Sequence, residues 1–433
     1  MAGLIRAARA ADRSGDSYLP QHGNGGYRVT HYDLALDYKV GPNRLTGRAV
    51  LTAVADASLP RFALDLGTFK VARVLVDGRS ATFTHRGGKL RVTPSRPATG
   101  TFTVEVRYAG NPKPVRSRWG DVGWDELTDG ALVASQPVGA PSWYPCNDRL
   151  GDKAAYRVTV TTDADYTVLV TGVLTDRSRS GSTRTWVYER PEPTAAYLMS
   201  VQIGRYDDLP LGSRRARAWV PPRLRRTAAY DLGRHPKIMK ALEGFFGPYP
   251  FGNYQLVVVD DELDDPVEAQ GMAVFGANHI DGKRTHERLV VHELAHQWFG
   301  NSLTIADWRH IWLNEGFATY AEWLWSESSG GRSAAAHARE WHAAVAAQRA
   351  DLVIADPGVT HLFDQRVYKR GGLTLHALRV RVGDERFFRL LREWAEVHQH
   401  GSVTTEQFVA LAGADVAELL DDWLYAKPLP RLG

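Results

Sequence analysis

Cysteine is nearly absent. The 433-residue chain holds one, Cys146, which excludes an internal disulfide and any multi-cysteine metal site and suits a reducing compartment. Long apolar runs are missing as well. No stretch of about 18 uncharged apolar residues occurs, so no membrane-spanning helix is expected, and the basic segment Met1–Pro20 lacks the apolar core of a secretory signal. Net charge is small: 53 Lys+Arg against 49 Asp+Glu leave +4, too little to imply nucleic acid. The basic runs Arg214–Arg217 and Arg223–Arg226 have no aromatic platform beside them and read as solvated surface. These absences describe a cytoplasmic protein with neither membrane nor nucleic-acid partners. No repeat of about 20–50 residues is found. What remains, 44% hydrophobic and 24% charged, is ordinary globular composition for two or three domains.

Residues 1–17 read as a loose N-terminus. From 18 to 210 the chain alternates apolar and polar residues in short runs such as Tyr32–Asp37, Thr101–Val106 and Tyr156–Val160. Gly, Asp, Asn and Pro clusters separate these runs, which predicts an all-β sandwich-like domain. From 211 to 433 the texture changes. Two strand-like runs, Ala216–Val220 and Gln255–Val259, precede segments with helical spacing at 286–299, 314–328, 333–350 and 370–382.

The chemistry concentrates in His292-Glu293-Leu294-Ala295-His296. On a helix, positions i and i+4 are about 40° apart, so both imidazoles leave one face and can share an ion. Glu293 sits beside that ion, where a carboxylate can take a proton from metal-bound water. Eighteen residues separate His296 from Glu315, whose carboxylate can complete a His₂Glu zinc site, one Zn²⁺ per chain, with water in the fourth position. Glutamate at a first helical turn is also a common complement to the helix dipole, which is the bland reading of Glu315. Glu322, seven residues further on, is either a partner for a ligand imidazole or an ordinary surface charge.

The H-E-x-x-H run, the 18-residue spacer and Asn314-Glu315-Gly316-Phe317-Ala318 resemble the gluzincin aminopeptidases of the aminopeptidase N and leukotriene hydrolase type. So do Gly247-Pro248-Tyr249-Pro250-Phe251, Ser135-Gln136 with Tyr144–Asp148 and Lys153–Tyr156, Trp308 with Ile311–Glu315, and Asp421–Tyr425. The resemblance covers about residues 16–430. It implies a multidomain chain, an N-terminal β domain on a thermolysin-like α+β zinc metallopeptidase domain. It also implies a substrate-aligning strand whose Glu holds the free α-amine of a peptide. Two registers compete for that strand. Gly271-Met272-Ala273 puts Ala where Glu belongs; Asp265–Ala269 keeps it, with Glu268 placed 24 residues before His292, as in the leukotriene hydrolase branch. Glu268 is the choice here, with Gln136, Gly271 and Met272 as further substrate contacts. The family's Y-x-K-G context reads Tyr368-Lys369-Arg370-Gly371, with Arg for Lys, and makes Tyr368 the oxyanion-stabilising phenol.

The implied activity is removal of the N-terminal residue from peptides with a free N-terminus. A non-peptidase hydrolase on the same metal, acting on epoxides or in biosynthesis, and an inactive binding paralogue stay open as alternatives. Typical members continue into a further helical domain where this sequence stops at Gly433. The cleft is therefore expected to be open there or covered by another subunit, possible homo-oligomers included.

Overall fold

The structure, a computed structural model, describes residues 12–213 and 215–432. Of the segment read as loose, residues 1–11 lie outside the described residues. Residues 12–17 are tied down: Asp12 pairs with Arg91 at 2.6 Å, and Asp16 accepts from the N–H groups of Tyr18 and Leu19. The chain divides into two compact units, Met1–Asp207 with Ala269–Met272, and Asp208–Glu268 with Ala273–Gly433.

Among the described residues the first unit is β apart from the short 3₁₀ turns Ala140–Ser142 and Ala196–Leu198. Its largest sheet runs in the order Val173–Ser180, Thr183–Thr194, Ala154–Asp163, Tyr27–Lys39, Arg44–Ala55, Thr101–Gly110, Lys70–Val76, Arg79–Ser80. Tyr27–Lys39 pairs in parallel with Ala154–Asp163 and antiparallel with Arg44–Ala55. Ala154–Asp163 alternates buried and half-buried residues without a break, so the period-two pattern is one face of a sandwich. A second sheet, Thr167–Val170, Val201–Gly204, Gly130–Ala134, Gly120–Leu127, Val115–Ser117, shares its core. Tyr38 of the first sheet meets Trp124 of the second at 4.8 Å between ring centroids. Cys146 is buried and unpaired.

The second unit carries a sheet in which Ala216–Val220 lies parallel to Tyr254–Val258, with Asp207–Pro210 at one edge and Val267–Ala269 at the other. Its helices are α1 (Arg225–Asp231), α2 (His235–Phe246), α3 (Glu287–Ala295), α4 (Trp312–Ser328), α5 (Ala334–Ala346), α6 (Gln365–Val382), α7 (Asp384–Val397), α8 (Thr405–Ala412) and α9 (Ala417–Leu424). None of the described helices is long and apolar enough to cross a membrane. The basic run 223–226 spans the start of α1, and Arg215, Arg217 and Arg223 each pair with an acid: Glu243, Asp208 and Asp260.

Helix bounds differ from the sequence reading where caps intervene. α6 begins at Gln365, not 370, because the Asp364 side chain accepts from the Arg366 N–H at 2.9 Å. Tyr368 therefore lies inside α6. α3 stops at Ala295, short of 299, because the next amides close tighter turns: Gln297 and Trp298 bond back three residues, to Leu294 and Ala295. α4 and α6 cross at Gly316 and Gly371. A Cβ on Gly371 would stand 2.7 Å from the Gly316 Cα, so only glycine admits this approach.

Candidate active site

α3 delivers His292 and Glu293 from its interior. His296 follows the last helical residue, yet its N–H still bonds the His292 carbonyl at 3.2 Å, so the i, i+4 relation is kept. The two imidazole centroids are 4.7 Å apart. Glu315 comes from the first turn of α4, and its Oε2 lies 3.4 Å from His292 Nε2 and 3.5 Å from His296 Nε2. The three ligand atoms all fall within 4.8 Å of one another. Tetrahedral zinc with bonds of about 2.0–2.2 Å keeps its ligand atoms roughly 3.3–3.6 Å apart, so this trio fits the ion.

The opposite ring nitrogens are committed. His292 Nδ1 bonds Glu322 Oε1 at 2.8 Å, and His296 Nδ1 bonds the Phe299 carbonyl at 3.0 Å. Both acceptors require an Nδ1–H, which leaves an Nε2 lone pair on each ring facing the shared point. Glu322 is 8% exposed, which removes the surface-charge reading for it; Arg288 approaches its other oxygen at 3.6 Å.

Electrostatics favour a cation. Burial opposes protonation of both imidazoles, yet hydrogen bonding and charge from Glu315, and Glu322 at His292, raise their pKa values. Burial pushes the Glu315 carboxyl up, but the neighbouring imidazoles win and hold it low. Glu293 is the converse: it is 4% exposed, its Oε2 has no hydrogen-bond partner, and burial raises its pKa. Glu268, half-buried on the edge strand, is also raised by burial, against the pull of His296. Four carboxyl groups and two imidazoles are thus crowded together, and a divalent ion seated among them would take the place of the protons that they otherwise share.

Tyr368, in the first turns of α6, lies with its ring 6.1 Å from that of His292 at 15°. Burial, then the charges of Glu315, Glu268, Asp265 and Glu293, hold its pKa well above 10.0, so the phenol stays a donor. The structure thus brings His292, Glu293, His296, Glu315, Glu322 and Tyr368 together, with Glu268 in electrostatic reach. Gln136 belongs to the first unit, with its Nε2 buried and unpartnered. Gly271 turns the chain at φ 76° between the strands of the hairpin. Met272, expected as a substrate contact, is 0% exposed in the strand Met272–Phe275, so burial closes it to a ligand. Ala273, the competing register, is a buried strand residue. Sequence reasoning missed Arg288, one turn before His292, and the Phe299 carbonyl; a backbone acceptor leaves no residue-type signal.

Residues 230–423 match the Peptidase family M1 domain. The fold superposes on the crystal structure of an M1 zinc metallopeptidase from Deinococcus radiodurans with a TM-score of 0.87 and 30% identity, covering 96% of this chain and 98% of that one. The chain belongs to peptidase family M1. With membership come the hydrolase class and a catalytic zinc. A mutant of the Deinococcus enzyme, at the same identity and TM-score, was solved bound to the substrate Tyr-Ser-Ala. Native yeast LTA4 hydrolase shares the fold at 21% identity and a TM-score of 0.79, over 94% of this chain and 69% of that one. Leucine aminopeptidase 2 of Eremothecium gossypii is 27% identical over 334 residues, 73% of this chain and 51% of its own. Aminopeptidase M1 of Arabidopsis thaliana is 24% identical over 336 residues, 69% of this chain and 37% of its own. This M1 chain spans about half the length of these curated relatives or less.

Proposed function

We propose that this chain is a zinc-dependent aminopeptidase that hydrolyses the first peptide bond of substrates with a free α-amine. The observation that carries the reading is the trio His292, His296 and Glu315 at zinc spacing, with Glu293, whose Oε2 has no hydrogen-bond partner, beside it. The aminopeptidase names of two relatives and the tripeptide bound to the Deinococcus mutant support it. Zinc held there supplies Lewis-acid polarisation and a bound water acidified toward neutrality.

The chain's own residues do the rest. Glu293, with no competing hydrogen bond on Oε2, accepts the proton of the attacking water and hands it to the departing amine. Tyr368 donates its O–H to the carbonyl oxygen as negative charge grows there. Glu322 and the Phe299 carbonyl fix the tautomers of the two imidazoles. Glu268 receives the substrate ammonium, and this sets cleavage after residue one. The single buried cysteine supports the cytoplasm as the proposed location.

The test is a panel of aminoacyl arylamides, their N-acetylated counterparts and a set of epoxides, run on the zinc-loaded protein. The reading expects turnover of the free-amine amides and little of the rest. Turnover of epoxides alone would transfer the site to the non-peptidase alternative.

A further inference from the structure

Arg370 is 3% exposed, and no carboxylate among the described residues pairs with it. Its guanidinium donates instead to backbone oxygens: Nε to Trp423 at 2.8 Å, Nη1 to Leu352 at 3.4 Å and Lys427 at 3.0 Å, and Nη2 to Asp422 at 3.2 Å, Ala426 at 2.6 Å and Pro428 at 3.4 Å. This completes the end of α9, whose last four carbonyls lack helical partners. Asp421 bonds the Tyr425 N–H and Leu424 the Ala355 N–H; Arg370 takes the two between. A cation at the negative end of a helix is also favoured by the dipole.

The placement on α6 matters as much as the partners. Tyr368 and Arg370 are two residues apart, about 200° around the helix, so they leave opposite sides. Gly371 rests on Gly316, the residue after the candidate ligand Glu315. α6 is thus held from two directions beside Tyr368: a glycine contact that sets its approach to α4, and a guanidinium that ties it to 422–428.

We propose that Arg370 is a positioning residue. By anchoring α6 to the end of α9 and the segment after it, it fixes the Tyr368 hydroxyl relative to His292 and Glu315. The inference rests on the reading of Tyr368 as the oxyanion donor. It also accounts for Arg where the related motif has Lys: five donors in a planar fork serve this many carbonyls, and an ammonium has three.

The experiment uses the full-length zinc-loaded enzyme carrying Arg370→Lys or Arg370→Gln, each with and without Tyr368→Phe. Arg370→Lys should lower kcat about tenfold with KM changed less than twofold and zinc content unchanged, because the Tyr368 contact matters mainly in the transition state. In the Tyr368→Phe background the same substitution should change kcat less than twofold, since no hydroxyl is left to position. Hydrogen exchange on the metal-free chain supplies a readout without activity: amides of 366–376 should exchange faster in both Arg370 variants while those of α3 do not. An equal loss of kcat in both backgrounds, or an unchanged kcat with unchanged exchange in α6, would overturn the proposal. Should Tyr368→Phe by itself leave kcat intact, the reading of Tyr368 fails and the proposal with it; the exchange data still report separately whether Arg370 anchors α6.

Discussion

His292 donates its Nδ1–H to Glu322 across 2.8 Å, while its Nε2 stands 3.4 Å from Glu315. One ring is thereby oriented from behind and aimed at the candidate metal position. Removing the rear acceptor frees both the ring torsion and the tautomer. Glu322→Ala should weaken zinc affinity about 10–100-fold, read by competition with a chromogenic chelator. Wild-type affinity would mean that packing alone orients His292.

Glu293 makes a different prediction, because it lies beside the ligand trio and not in it. Glu293→Gln should keep zinc and lower kcat by about 10²–10⁴-fold, the range of a lost general base. Metal content by elemental analysis and turnover of an aminoacyl amide are measured together. Loss of the metal would place Glu293 among the ligands.

The amine-binding role proposed for Glu268 predicts selectivity. A buried charge pair broken on one side costs about 2–5 kcal/mol. Glu268→Ala should therefore lower kcat/KM on free-amine substrates by about two orders of magnitude, with slight effect on N-acetylated ones. Equal losses on both would assign Glu268 to the fold.

Stability has its own acid limb. His235 is 0% exposed, stacks on Tyr254 at 5.2 Å, has no partner on either ring nitrogen, and burial lowers its pKa from 6.5 to about 3. A depressed histidine binds its proton more readily unfolded, so its contribution is intact above the unfolded pKa and is lost as pH falls below it. Between pH 7 and pH 5 that loss is about 2 kcal/mol. His235→Phe should lack it, so denaturant melts at the two pH values should differ less for the variant. An identical pH dependence would show that His235 does not titrate on unfolding in this range.

Legibility in the sequence followed locality. His292, Glu293 and His296 sit within five residues, and the helical repeat alone puts the two imidazoles on one face. Glu315 was reached by its spacing and Glu322 by counting two helical turns onward, but only the fold shows that Glu322 turns inward to His292. The alternation in Ala154–Asp163 announced a half-buried strand, whereas its parallel pairing with Tyr27–Lys39 joins residues more than a hundred positions apart and leaves no local trace. A run of arginines and Pro236 mask helices α1 and α2 in the sequence, although proline in a first turn is compatible with a helix. Arg370 was visible only as a departure from a motif. Its partners are carbonyls, and these carry no side-chain signature.

The central claim is tested most directly by titrating zinc into the metal-free protein while following hydrolysis of an aminoacyl arylamide, with bound metal measured at each step. The account predicts no turnover without metal and activity rising in proportion to zinc up to one equivalent per chain. Full turnover by protein shown to be free of metal would contradict it.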